Sequence, residues 1–281
     1  MSRADTLVRS LGLFRSELGI TFRRGRTLAL LGVLAAVPVL IGIALRIQTG
    51  PDSGGAAHGP AFLTQVTNNG LFLVFAALAA TLPVFLPMAV GVVAGDAVAG
   101  EAHAGTLRYL LVAPAGRTRL LCAKYVATLA FCLVATAVVA VSALVVGAAL
   151  FPLGEVTTIS GTTIPFTEGL ARAAAIAVVV AASLAGLAAL GLFVSTLTSS
   201  GVAAMATTVG LLITAQILDT IPQLDAIHPY LFPHHWLSFA DLLREPVHWD
   251  GVLDNLALQG LYAALFGSAA WARFAAKDIT T

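Results

Sequence analysis

The amino-acid sequence predicts an all-α, polytopic membrane protein with six transmembrane helices, an amphipathic N-terminal helix on the membrane surface, and a short cytoplasmic helix between the second and third spans. Three observations carry this expectation. Of 281 residues, 58% are apolar and only 10% are charged, whereas a water-facing surface takes about 25% charged residues. Six apolar stretches are each long enough to cross a hydrocarbon core of ~30 Å at ~1.5 Å per helical residue. Lys and Arg, finally, crowd onto one side of the layout that those stretches define.

The first element is the segment 7–26, LVRSLGLFRSELGITFRRGR. Leu7, Leu11, Phe14, Leu18 and Phe22 recur at spacings of three and four, with Arg9, Arg15, Arg23 and Arg24 among them. An amphipathic helix lying on an anionic membrane surface suits that pattern. The spans are expected near 28–47, 71–95, 125–150, 171–194, 201–219 and 254–275. Backbone polar groups in lipid need internal partners, so spans of this length read as helices. No cleaved leader is expected, because the first apolar run follows a long polar stretch and QTGPDSGG after it is a poor cleavage site. Pro38, Pro83 and Pro87 should kink the first two spans. The uncharged stretch 195–201 separates two apolar runs too long together for one span, which makes them a hairpin.

With both termini inside, Arg3, Arg9, Arg15, Arg23, Arg24, Arg26, Arg108, Arg117, Arg119, Lys124, Arg273 and Lys277 face the cytoplasm. Only Arg46, Arg172 and Arg244 face outward. That bias fixes the orientation by the positive-inside rule and places the chain in the inner (plasma) membrane as a multi-pass protein. Segment 220–253 is extracytoplasmic, with prolines and tryptophans that suit short re-entrant or surface helices.

The most distinctive loop is 96–124. It carries Asp96 and Glu101, then Gly105-Thr106, the amphipathic run 107–111, a Pro-Ala-Gly break at 114–116, and Arg117, Arg119 and Lys124. Acids at a membrane face need partners, and the basic residues supply candidates. A small charged element of this kind suits docking of a cytoplasmic partner.

The string Gly-Glu-x-x-x-Gly-Thr-Leu-x-x-Leu-Leu-x-x-Pro, Gly100 to Pro114, resembles the hallmark of ABC-2-type transporter permeases. The basic continuation from Arg117 to Lys124 and the ending ArgPheAlaAlaLysAspIle (273–279) are similar to theirs. His103 and Ala104 make the middle of the motif less polar than the family pattern. The resemblance implies a permease that pairs with a second permease copy or a related permease, and with separate ABC ATPase (nucleotide-binding) subunits. It makes 96–124 the coupling loop, its helix docking on the ATPase through Glu101, Gly105, Thr106, Leu107, Arg108 and Leu111, with Glu101 and Arg108 as the charged pair.

Several function classes lose support from the residues. The chain has only two lysines, Lys124 and Lys277, and neither follows a Gly-x-x-x-x-Gly spacing. ATP and Mg are therefore expected on a partner subunit, with no cofactor or metal on this chain and no catalysis of its own. Nucleic acid binding lacks a basic, aromatic-interleaved tract. No predicted span has an ionisable residue near its midplane, which counts against an ion-coupled carrier and favours a hydrophobic or amphipathic export substrate, such as a drug-like molecule or lipid. The six histidines form no His-Glu-x-x-His pattern. A non-transporting membrane structural or assembly protein accounts for the spans and the basic face equally well. Membrane lipids are partners under either reading.

Overall fold

The computed structural model describes residues 3–48, 66, 68–103 and 116–276. It is nearly all helical: α1 (Arg3–Arg23), α2 (Gly25–Gln48), α3 (Phe72–Thr81), α4 (Phe85–His103), α5 (Arg117–Leu150), α6 (Phe166–Ser183), α7 (Ala185–Leu197), α8 (Gly201–Asp219) and α9 (Asp250–Ala276). Two additions fall outside an all-α description. A two-stranded antiparallel ribbon, β1 (Val156–Thr157) and β2 (Thr163–Ile164), precedes α6. Two 3-10 helices, Pro222–Tyr230 and Trp236–Leu243, lie between α8 and α9.

Among the described residues, five helical stretches are long and apolar enough to cross a membrane: Gly25–Gln48, Phe85–His103, Arg117–Leu150, Phe166–Leu197 and Gly201–Asp219. The last helix, α9, has the length at 27 residues but is diluted by Asp254, Asn255, Gln259 and Arg273. Large side chains such as Leu40, Ile47, Val141, Val145 and Val202 are exposed on α2, α5 and α8. Water would penalise so much contiguous apolar surface, and a bilayer does not.

Helix α4 runs through the middle of the bundle, packed on α7 and α8 on one side and on α5 on the other, while α7 also packs on α9. Helix α2 lies against α5 and α3, and α1 crosses the start of α5. One end of the bundle gathers α1, the end of α4, the start of α5 and the end of α9. There Arg117 donates to the Ala275 carbonyl at 2.7 Å and Trp271 Nε1 to Thr118 Oγ1 at 2.9 Å. The opposite end gathers the ribbon, both 3-10 helices and the start of α6, where Arg172 pairs with Glu168 and Glu245. Asn69 donates to the carbonyls of Gly154 and Glu155 there.

The prolines act differently from one another. Pro38 sits inside an unbroken α2. Between α3 and α4 the chain turns at Leu82–Val84, within the expected span 71–95 and beside Pro83. Pro87 has no N–H to give the carbonyl four residues back, that of Pro83. The Gln216 side chain of α8 donates to that carbonyl instead. A second break, which the sequence pattern does not announce, separates α6 from α7 at Leu184. Ser183 back-bonds to the Val179 carbonyl at 2.8 Å, a pattern that bends helices, and accepts from Asn255 at 2.6 Å. Tyr125 caps the Ala185 carbonyl at 3.1 Å.

The described ends of the segment 96–124 are helical. Helix α4 continues to His103 and α5 begins at Arg117, and within these extensions Asp96, Glu101 and Lys124 are buried and paired. The hairpin at 195–201 is present as a short break, with Ser200 capping α8 through the Ala203 N–H.

At the opposite end, Gly70 and Gly147 cross with their backbones in contact, and a Cβ on either would overlap the other's carbonyl. Overpacking of this sort costs about 1–3 kcal/mol. Gly147→Ala should therefore lower the thermal unfolding midpoint in detergent, while Gly260→Ala, with open space around it, should not.

Candidate functional site

Six charged side chains meet at the α1 end. Helix α1 brings Glu17, the junction and start of α2 bring Arg24 and Arg26, α4 brings Asp96 and Glu101, and α5 brings Lys124. The Lys124 ammonium lies 2.5 Å from Glu101 Oε1 and 3.0 Å from Glu17 Oε2, and the three side chains are only 2%, 6% and 5% exposed. Arg24 and Arg26 both pair with Asp96 Oδ2. One half of the cluster has two carboxylates on one ammonium, and the other has two guanidinium groups on one carboxylate. Each half carries a charge surplus of opposite sign, so together the six groups balance.

Local sequence explains how each group arrives. On α5 the buried stripe runs Leu120, Leu121, Lys124, Ala127, Thr128, Phe131, at the three- and four-residue spacing of a core-facing helix. Lys124 sits on that stripe, so its ammonium is directed inward. Asp96 fits only because its neighbours are small: a Cβ on Gly100 or on Gly201 would collide with its carboxylate. The Gly100 of the Gly-Glu motif therefore has a steric reason. The final turns of α4 are held to α7 by Ser195, whose Oγ accepts the N–H groups of Val98 and Ala99 at 2.9 Å each.

Glu17, Arg24, Arg26, Glu101 and Lys124 line a cavity of about 30 Å³ together with Thr21, Thr27 and Thr128. That is room for a water molecule and for nothing larger. The cluster joins four helices through charges that are costly to separate in a dry site.

Of the residues expected from sequence, Glu101 lies at the centre of this cluster. Gly105, Thr106, Leu107, Arg108 and Leu111 lie outside the described residues, and with them the expected Glu101–Arg108 pairing. The partner the structure supplies to Glu101 is Lys124. Glu17 escapes a sequence reading that follows the arginines of the N-terminal helix. Its signal is being the one acid within 7–26, at the edge of the apolar stripe.

The histidines of the opposite end serve as hydrogen-bond partners. His234 Nδ1 is 2.6 Å from Asp219 Oδ1, and His228 Nε2 is 3.1 Å from the carbonyls of Leu218 and Ile221. Burial and the neighbouring His234 hold the His235 imidazole below its usual pKa.

A family profile described as "Protein of unknown function (DUF2705)" matches residues 53–280, which includes α3 to α9. No curated protein matches the chain.

Removing one partner from a buried ion pair costs about 3–5 kcal/mol, since the remaining charge stays buried. Lys124→Met should destabilise the detergent-solubilised protein by that order. Lys124→Met combined with Glu17→Gln and Glu101→Gln should recover much of the loss, as read by thermal unfolding.

Proposed function

We propose that this chain, which belongs to the DUF2705 family of proteins of unknown function, is the membrane-spanning permease subunit of an ATP-driven exporter whose ATPase is a separate chain. The observation that carries the reading is the buried Lys124 bridge. Residues 104–115, the segment expected to dock on an ATPase, run between the end of α4 and the start of α5. Both of those helix ends are fixed to α1 through Glu101, Lys124 and Glu17.

In this reading the cluster end is cytoplasmic, the chain crosses the inner membrane six times, and a second permease copy or a relative completes the pathway. The nucleotide-binding partner holds ATP and Mg. This chain supplies the mechanical link. A push on residues 104–115 moves the ends of α4 and α5 together, because parting them would expose a buried ammonium and two carboxylates. Helix α4 then carries the displacement into α7 and α8, on which it packs. Walls built from Ala, Leu, Val and Phe suit a hydrophobic or amphipathic substrate better than a charged one. The resemblance of Gly100–Pro114 to ABC-2-type permeases and the lack of an NTP-binding loop point the same way.

The test is affinity purification of the tagged protein from its own membrane, followed by reconstitution with whatever ATPase accompanies it. A stoichiometric ATPase is expected, with substrate-stimulated turnover. Glu17→Gln should keep the complex and its basal turnover while reducing stimulation by about 10-fold, the equivalent of ~1.4 kcal/mol of lost coupling. Absence of any ATPase would move the assignment to a non-transporting assembly protein, and unchanged stimulation in Glu17→Gln would remove the Lys124 bridge as the coupling link.

A further inference from the structure

We propose that the groove between α1 and the start of α5 holds one anionic phospholipid, its phosphate on Arg119 and an acyl chain over Cys122 and Val126. The inference rests on the membrane placement of the chain and not on the transport reading.

The groove measures about 220 Å³ and is lined by Leu13, Phe14, Arg119, Cys122, Ala123 and Val126. Every lining residue but Arg119 is apolar or nearly so. Arg119, Cys122 and Val126 are spaced by three and four residues and are all exposed, so they share one face of α5. The same face continues through the exposed Leu133, Ala137 and Val141 into a second apolar groove of about 310 Å³ against α3 and α6. A face that stays apolar over this length is a lipid-facing one, and its charged end marks the headgroup level.

Charge complementarity decides between lipid classes. Glu17 and Glu101 are engaged by Lys124, and Asp96 by Arg24 and Arg26. Among the described residues the Arg119 side chain makes no ion pair or hydrogen bond, its backbone N–H going to the Gly116 carbonyl, and the Arg15 side chain, beside the groove-lining Phe14, makes none either. The site is therefore positive at its mouth. Arg119 is in the first turn of α5, where the helix dipole adds to the attraction for an anion. A guanidinium grips a phosphate through a planar pair of N–H donors. A choline or ethanolamine headgroup would bring a second cation to the same place. A free phosphate would leave Leu13, Phe14 and Val126 unused.

The chain carries its own reporter. Of its two cysteines, Cys122 is exposed in the groove and Cys132 is buried, so maleimide labelling reads Cys122. The full-length protein is placed in lipid nanodiscs of phosphatidylcholine, with and without phosphatidylglycerol. The expected result is a several-fold slower labelling when phosphatidylglycerol is present, reduced in Arg119→Gln to what the anionic surface alone causes and kept in larger part in Arg119→Lys. Inorganic phosphate added to phosphatidylcholine discs should leave the rate unchanged. An anionic surface also slows thiol reactions by lowering local pH, but that effect would be the same in Arg119→Gln and so cancels. Equal rates in the two lipid compositions would overturn the proposal, as would equal protection in Arg119→Gln. Protection by inorganic phosphate alone would also overturn it, in favour of a free-anion site.

Discussion

A lysine ammonium held out of water between two carboxylates is the constraint around which one end of this molecule is arranged. Taking a single charge from water into a dry interior costs several kcal/mol even after relaxation. Lys124 tolerates its position only while Glu17 and Glu101 stay beside it, and each acid depends on the lysine in turn. Three helices distant in sequence are thus bound to a common geometry. No apolar contact would do this as strictly, since aliphatic side chains in lipid trade neighbours at little cost.

The cluster's second half shows the same economy with signs reversed. Asp96 serves two arginines, and Gly100 and Gly201 leave the space its carboxylate occupies. The two halves border one small cavity, so the surplus charge of each is offset by the other across a few ångströms of low dielectric. The groups that give the bundle its charge balance at this end are thereby consumed internally. What is left over, on the outer faces of α1 and α5, is positive.

Much of this architecture was legible before any coordinates. Apolar length locates the helices, and the uncharged hinge at 195–201 places the start of 201–219, where α8 begins. Charge at the helix ends was misread as loop. That Asp96 and Glu101 need partners is legible, but which residues supply them is not, since Lys124 lies 23 residues from Glu101 and 107 from Glu17 and such spacings leave no local pattern. Lys124 did lie on the core-facing stripe of its helix, a signal that periodicity offered. The break at Leu184 had none, since it depends on Asn255 and Tyr125 arriving from other helices. The ribbon at 156–164 was hidden by the shortness of its strands. The docking residues 105–111 fall outside the described part of the chain, and their reading still rests on resemblance.

The Pro83 carbonyl is completed by an amide that comes 133 residues later in the chain. A polypeptide delivered to the bilayer from its N-terminus must therefore hold an unfinished bend until α8 follows. During that interval the α3–α4 junction has an open acceptor in a setting that offers few donors. Biogenesis then has a natural late step, in which arrival of Gln216 closes the bend and commits α4 to its place between α5 and α8. A nascent chain truncated before α8 would keep the Lys124 pairing of α1, α4 and α5 and lack only the donor to the Pro83 carbonyl.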